Sequence, residues 1–331
     1  MTTVLPLDRR FCVAPMMDWT DRHCRVFHRV LTRGALLYTE MATSAAVVHG
    51  DVERLIGFTA AEQPVALQLG GSNPDELASA ARIGADLGYA EINLNVGCPS
   101  DRVQSGRFGA CLIREPGLVA DCLQAMAEAV DVPVTVKCRI GVDDQEPRDA
   151  LPALLSAVRE RGIKTAIIHA RKAWLKGLSP KENRTVPPLD YGLVHQSKQD
   201  FPDMEIILNG GLESLQAGIE AQQNLDGIML GRAAYHTPWE LALVDSLVYG
   251  QPDPIQSPHE AVRAYFPYIE AQLTQGTRLH SITRHMLGLF HGRPGARQWR
   301  RILSERAVRD GAGLEVVEDA LAATQPAMMP A

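Results

Sequence analysis

The 331-residue chain has no apolar run of the roughly 18 to 20 residues a membrane span needs. Its opening stretch, MTTVLPLDRRF, lacks the apolar core of a secretory signal. Six cysteines stand at 12, 24, 98, 111, 122 and 138 with no CxxC pair and no other zinc-like spacing, which argues against a metal and for reduced thiols. There is no Walker motif, and no GxGxxG follows the first apolar run. No internal repeat is visible. Positive charge is not in excess: 33 basic against 39 acidic residues give a net charge of −6. A polycation is thereby excluded, but a local basic face for nucleic acid is not. With 46% hydrophobic and 22% charged residues the composition is that of an ordinary globular protein, and a cytoplasmic enzyme is the expectation.

What is present is a rhythm. Short apolar runs begin at Phe11, Ala35, Val65, Glu91, Val134, Thr165, Glu205 and Gly227, between 22 and 43 residues apart. That distance accommodates a strand, a helix and two loops. The intervening stretches carry helix starts, with Pro74 after Asn73 and Pro116 after Glu115. Eight such units predict a (β/α)8 TIM barrel in an α/β fold, here taken as residues 1–248. A doubly wound open sheet is the rival. YGQPDPIQSP predicts a linker over 249–258, and a smaller all-helical domain fills 259–331. Its helices are broken at Gly276 and around Gly292–Gly295, and it closes on a loose end, QPAMMPA.

Polar residues gather where a barrel does its chemistry, at the C-terminal ends of the strands. They are Pro15-Met16-Met17, Glu40, Gln68, Asn93 with Asn95, Lys137 with Arg139, His169, Asn209-Gly210-Gly211 and Gly231-Arg232. Loops after the seventh and eighth strands form the usual barrel phosphate site, so Asn209, Gly210, Gly211, Gly231 and Arg232 predict a phosphate handle. Without a Walker motif, that handle suggests a phosphorylated cofactor such as FMN. Gln68 can then hydrogen-bond the pyrimidine edge of the flavin, and Lys137 supplies a cation near N1. Cys98 lies between Gly97 and Pro99 in the loop after the fourth strand. An unperturbed thiol, with a pKa of about 8.5, is mostly protonated at neutral pH and can donate a proton. A nucleophilic role is the alternative.

Charge adds a second theme. Between 278 and 309 eight arginines face one acidic residue, Glu305, so this window carries +7 and the remainder −13. Arg297, Arg300 and Arg301 follow helical spacing and share a face. Arg171, Lys172, Lys176, Lys181 and Arg184, opposed by Glu182 alone, form a second basic segment. Both fit a nucleic-acid backbone.

Four stretches carry a resemblance: APMMDWTDRHCR at 14–25, NLNVGCPSDRVQSGRFGACL at 93–112, VKCRIGVDD at 136–144 and HARKAWLKGLSPKENRTVPPLDY at 169–191. On these the chain resembles the tRNA-dihydrouridine synthases, A subfamily, from Phe11 to about Arg309. The resemblance implies an FMN enzyme, reduced by NADPH, that saturates the 5,6 double bond of D-loop uridines 20 and 20a in tRNA. It implies flavin contacts for Pro15, Met16, Met17, Gln68, Lys137 and His169, with Asn209, Gly210, Gly211, Gly231 and Arg232 on the phosphate. Cys98 is then the proton donor. Asn95 bonds the base and Arg139 steadies it, with Lys181, Asn183, Arg184, Arg297 and Arg300 as further tRNA contacts. A monomer is expected. The alternatives are an FMN enzyme of a free pyrimidine, like dihydroorotate dehydrogenase, and a non-catalytic RNA-binding barrel.

Overall fold

The computed structural model describes residues 7–100, 103 and 106–324. The loose end 325–331, and residues 101, 102, 104 and 105 of the resemblance at 93–112, lie outside the described residues. Each apolar run supplies one strand, in order: β1 (Phe11–Val13), β2 (Leu36–Thr43), β3 (Val65–Gly70), β4 (Glu91–Val96), β5 (Val134–Arg139), β6 (Thr165–His169), β7 (Glu205–Asn209) and β8 (Gly227–Leu230). All neighbours run parallel, and β1 pairs with both β2 and β8, so the sheet closes into a barrel and the open-sheet rival is excluded. Both expected proline starts open helices, Pro74–Asp86 and Pro116–Ala129. At the first, the Asn73 side chain accepts the Glu76 backbone N–H at 3.1 Å and so satisfies one of the donors a helix start leaves over.

Alternation along the strands divides the barrel interior into two halves. Cys12, Ala14, Leu36, Tyr38, Ala66, Ile167, Ile207 and Met229 form an apolar cluster drawn from β1, β2, β3, β6, β7 and β8. The other half is polar. On β4 the period of two puts Glu91, Asn93 and Asn95 on one face and Ile92, Leu94 and Val96 on the other, and all six are buried. The register sets Asn93 beside Gln68 of β3 and Thr135 of β5, and Asn95 beside Lys137. A bulge in β2 between Tyr38 and Met41 frees Thr39 Oγ1 to accept the Gln68 backbone N–H at 3.0 Å.

The chain divides into two compact units. The barrel unit pauses after Asp18, resumes at Ala35 and ends at Gly231; the other takes Trp19–Gly34 and everything from Arg232. This line differs from a linear cut at residue 248. The helix Arg22–Leu31, which follows β1 in sequence, packs instead on the helix Pro258–Thr274, with the Phe27 and Tyr265 rings 5.3 Å apart. Buried Asp245 locks the end of that segment, accepting from Thr32 Oγ1 at 2.6 Å and from the N–H groups of Arg33 and Gly34 at 2.8 and 3.0 Å. Further along, the helix Leu279–Thr283 starts after the expected break at Gly276 and Ala296–Arg306 after that at Gly292–Gly295, and Leu314–Ala322 follows. Among the described residues no helix is long and apolar enough to cross a membrane.

Candidate active site

A single chain of hydrogen bonds runs up the polar half of the barrel. At its lower end Glu91, fully buried, takes Arg9 Nε at 2.5 Å, Tyr38 OH at 2.5 Å and Thr135 Oγ1 at 2.7 Å. Arg9 also reaches Glu205 at 2.9 Å, and these carboxylates hold its pKa above the ordinary arginine value despite burial. Asn93 Nδ2 donates to Thr135 Oγ1, Gln68 Nε2 to Asn93 Oδ1, and Asn95 Nδ2 to Gln68 Oε1, each at 2.8 Å. Asn95 Oδ1 then accepts the backbone N–H groups of Gly97 and Cys98 at 3.1 and 2.9 Å.

The direction of this chain is forced. Backbone N–H groups can only donate, so Asn95 must present its oxygen to them and its nitrogen to Gln68. The same logic passes down through Asn93 to the Thr135 hydroxyl, which must donate to the Glu91 carboxylate. Two consequences follow for the expected site. Gln68 keeps one N–H and one oxygen lone pair beyond those the chain uses, a donor and an acceptor side by side. Asn95 keeps a single N–H, so its main task is to hold the backbone beneath Cys98. Glu91 and Thr135 were not singled out in sequence; the signal was a glutamate opening a strand whose every residue is buried.

The Cys98 loop is fixed at three further points. Its carbonyl accepts the Ala110 N–H, and a Cβ at Gly109, where φ is +76°, would stand 2.6 Å from that same oxygen. Its thiol is half-buried, with Sγ 3.5 Å from Ser100 Oγ. Arg139, 4% exposed, donates from Nε to Gly97 O at 2.9 Å and from Nη1 to Lys172 O at 3.0 Å and Asn183 O at 2.9 Å. Its guanidinium is therefore a staple between the Cys98 loop and the long loop after β6. Burial lowers its pKa to about 10.

Beside this chain stands a cation. Lys137 Nζ donates to Asn209 Oδ1 at 2.9 Å, and burial, with Arg139 close by, lowers its pKa to about 8. Asn209 spends its Nδ2 on Met229 O at 2.7 Å, so its side chain serves Lys137 and the β7–β8 seam. Next to it, Gly210 (φ +103°) and Gly211 (φ +70°) adopt backbone that L side chains rarely take; a Cβ at Gly210 would press within 3.1 Å of the His169 ring. Gly231 follows β8, and a Cβ there would make ordinary contact with Ala14 and Met16. Pro15 and Met16 are half-buried and Met17 is exposed. Arg232 opens the short helix Arg232–His236 in the second unit.

Of the expected RNA contacts, Asn183 needs correction. It is fully buried: Nδ2 donates to Trp174 O at 2.8 Å and Leu178 O at 3.1 Å, and Oδ1 accepts the Trp174 N–H at 2.7 Å. The side chain organises its own loop and has no face to offer. Lys181 and Arg184 are exposed on that loop. On the second unit Arg297 and Arg300 are exposed on the helix Ala296–Arg306, whose Trp299 and Leu303 are buried. The +7 window is less bare than its count. Arg278 pairs with Asp310, Arg284 with Asp21, Arg301 with Glu305 and Arg306 with Asp319, three of these acids lying outside the window. Arg297, Arg300 and Arg309 make no ion pair among the described residues.

Comparison with known proteins gives the family. The sequence profile of the family described as Dihydrouridine synthase matches residues 12–325. A tRNA-dihydrouridine(20/20a) synthase of Vibrio parahaemolyticus is 58% identical over 314 residues, covering 95% of this chain and 96% of that protein. One from Xanthomonas campestris is 57% identical over 311 residues (94% and 92%), and one from Escherichia coli 56% over 313 residues (94% and 94%). Among solved structures, the old yellow enzyme homologue from Zymomonas mobilis superimposes with a TM-score of 0.51 at 13% identity, over 73% of this chain and 89% of that one; the likeness is one of fold.

Proposed function

The chain belongs to the dihydrouridine synthase family, and from that premise we propose that it reduces the C5–C6 double bond of uridines 20 and 20a in the D-loop of tRNA, with FMN as cofactor and NADPH as reductant. One observation carries the reading at the level of chemistry. A directed hydrogen-bond chain joins an amide suited to a flavin's pyrimidine edge, Gln68, to the backbone that presents a thiol, Cys98.

The residues present fit FMN. Gln68 has a spare donor and a spare acceptor, Lys137 has two N–H groups beyond the one given to Asn209, and Gly210, Gly211 and Gly231 carry no side chain of their own. Arg232 and His169 are assigned with them to the phosphate end. When bound, the flavin supplies the hydride that uracil C6 receives. The rest is the work of this chain. Cys98 gives its proton to C5: the S–H bond breaks, the C5–H bond forms, and the thiolate is reprotonated from solvent. Asn95 and Arg139 hold the Cys98 backbone still while this happens, and positioning of a proton donor is what makes it effective. The cation at Lys137 would stabilise negative charge on a flavin held there. Lys181, Arg184 and the exposed Arg297 and Arg300 hold tRNA phosphates, so the helical segment from residue 259 onward serves substrate binding. We assign the protein to the cytoplasm as a monomer.

Mapping dihydrouridine in tRNA from a strain lacking this chain tests the proposal. Loss at positions 20 and 20a is expected, with restoration by the intact sequence. The purified protein should be yellow and should release FMN absorbance on denaturation. A normal dihydrouridine map overturns the assignment; turnover of a free pyrimidine would reassign the site, and a colourless protein that binds RNA would remove its chemistry.

A further inference from the structure

We propose that Trp174 is a stacking platform for an unpaired base next to the target uridine; this inference rests on the tRNA reading above. Of the four tryptophans, Trp299 is buried, Trp19 is stacked on Tyr235 at 4.4 Å, and Trp239 carries the Arg293 guanidinium at 5.1 Å. Trp174 alone is exposed, at 41%. A large apolar ring left in water is unremarkable on a mobile tip, but this one stands on backbone held at every step. Ala173 donates to Gly141 O at 2.9 Å and accepts from Asp143 N at 2.7 Å. Trp174 is clamped on both its N–H and its C=O by the buried Asn183 amide. Leu175 N donates to Asp143 Oδ1 at 2.8 Å. Lys172 Nζ lies 5.3 Å from the Trp174 ring centroid and is itself held by Gln145 O at 2.8 Å, so one face of the ring is covered by a fixed cation. The exposed area belongs to the rest of the ring.

Rigid presentation matters because an aromatic ring ordered in advance loses little freedom when a base stacks on it. Charge complementarity identifies the occupant. Lys176 and Lys181 on the same loop are exposed and make no ion pair among the described residues, while the acid between them and Arg184, Glu182, is taken up by Ser179 N and Oγ. An exposed aromatic ring on a loop that also carries the unpaired Lys176 and Lys181 fits a nucleotide, flat base on the ring and phosphate on the lysines. Place follows from Arg139, which bonds residue 172 with one nitrogen and residue 97 with another. Trp174 is two residues from the first, a span of at most about 7 Å, and Cys98 is one residue from the second. A base held by Trp174 is therefore a near neighbour of the base that reaches Cys98.

The test is tRNA affinity, measured against salt, for W174A and W174F. Loss of one base stack lowers affinity about fivefold to 150-fold. W174A should show that loss with an unchanged slope of log affinity against log salt, since no phosphate contact is removed. W174F, which keeps a flat ring, should recover most of it. On transcripts with an abasic site at either neighbour of the target uridine, one of the two should bind wild type and W174A alike. Asn183→Ala, which keeps the ring but removes its clamp, should also weaken binding. If the wild type shows no salt-dependent tRNA binding, the tRNA reading fails and this inference with it. If the wild type binds and W174A binds equally well, the stacking role alone is overturned. A loss in W174A that W174F does not recover, or that every abasic transcript retains, overturns it as well.

Discussion

Inside the barrel, Glu91, Thr135, Asn93, Gln68 and Asn95 each bond to the next, and the last of them bonds to the backbone of Cys98. On the helical unit, Arg297 and Arg300 stand in solvent, while four arginines of the same window are matched by carboxylates. The two regions obey different rules because their surroundings charge different penalties. A buried polar atom without a partner costs about 1 to 3 kcal/mol, so each interior group constrains its neighbour and the chain has one solution. An exposed guanidinium costs nothing when unpaired, so its partner is an accident of nearby chain and the pair is worth little. Chemistry belongs in the first environment, where positions are exact to a bond, and sequence-tolerant phosphate contact belongs in the second.

The comparison can be broken most forcefully at Cys98. Cys98→Ala should accept electrons from NADPH yet be oxidised by tRNA about 10² to 10⁴ times more slowly than wild type in a single turnover. A near-normal rate would show that the ordered chain ends on a bystander.

Next comes the buried pair. Glu91→Ala leaves buried Arg9 with one carboxylate, Glu205, and should cost about 3 kcal/mol of stability in urea unfolding. Arg301→Ala, which breaks an exposed i,i+4 pair with Glu305, should cost no more than about 0.5 kcal/mol. Equal costs would erase the distinction between the regions.

Lys137 sharpens the same contrast through pH. Its folded pKa of about 8 lies below the ordinary lysine value of 10.5, so between these two the unfolded chain holds a proton the folded protein has released. Stability contributed by this residue is therefore complete above the upper value and lost as pH falls through the lower one. In flavin-free protein, wild-type stability relative to Lys137→Met should rise by roughly 3 kcal/mol from pH 8 to 10.5. Urea midpoints of both proteins across that window measure it; a flat difference would mean the ammonium is well solvated.

The smallest effect concerns the surface. Arg297→Ala and Arg300→Ala should each reduce the slope of log tRNA affinity against log salt by about 0.7 to 0.9, whereas Arg301→Ala, already paired, should reduce it less. An unaltered slope in the Arg297, Arg300 double variant would place the tRNA elsewhere.

How far the chain was legible before folding depended on the range of the interaction. Eight strands could be found because burial imposes a local pattern on six consecutive residues such as Glu91–Val96, and Pro74 and Pro116 mark helix starts by their own covalent geometry. Strand ends then located Gln68, Asn95, Lys137, His169 and Asn209 without further help, since a barrel presents strand ends on one face. The tasks of those residues were another matter. Arg139 and Asn183 were expected to meet RNA, and their side chains bond backbone carbonyls 4 to 44 residues away.

Fold class, strand order and the strand ends where the candidate site lies thus follow from short-range pattern, because alternation and helix starts are written within a few residues of each other. Partnership does not. That Glu91 anchors the amide chain, that Asp245 draws Trp19–Gly34 into the helical unit, and that Asp21, Asp310 and Asp319 pair with three of the eight arginines in the basic window all depend on residues meeting beyond the reach of local pattern. A hydrogen bond is decided by an approach of about 3 Å, and an approach of that kind exists only once the chain has closed on itself.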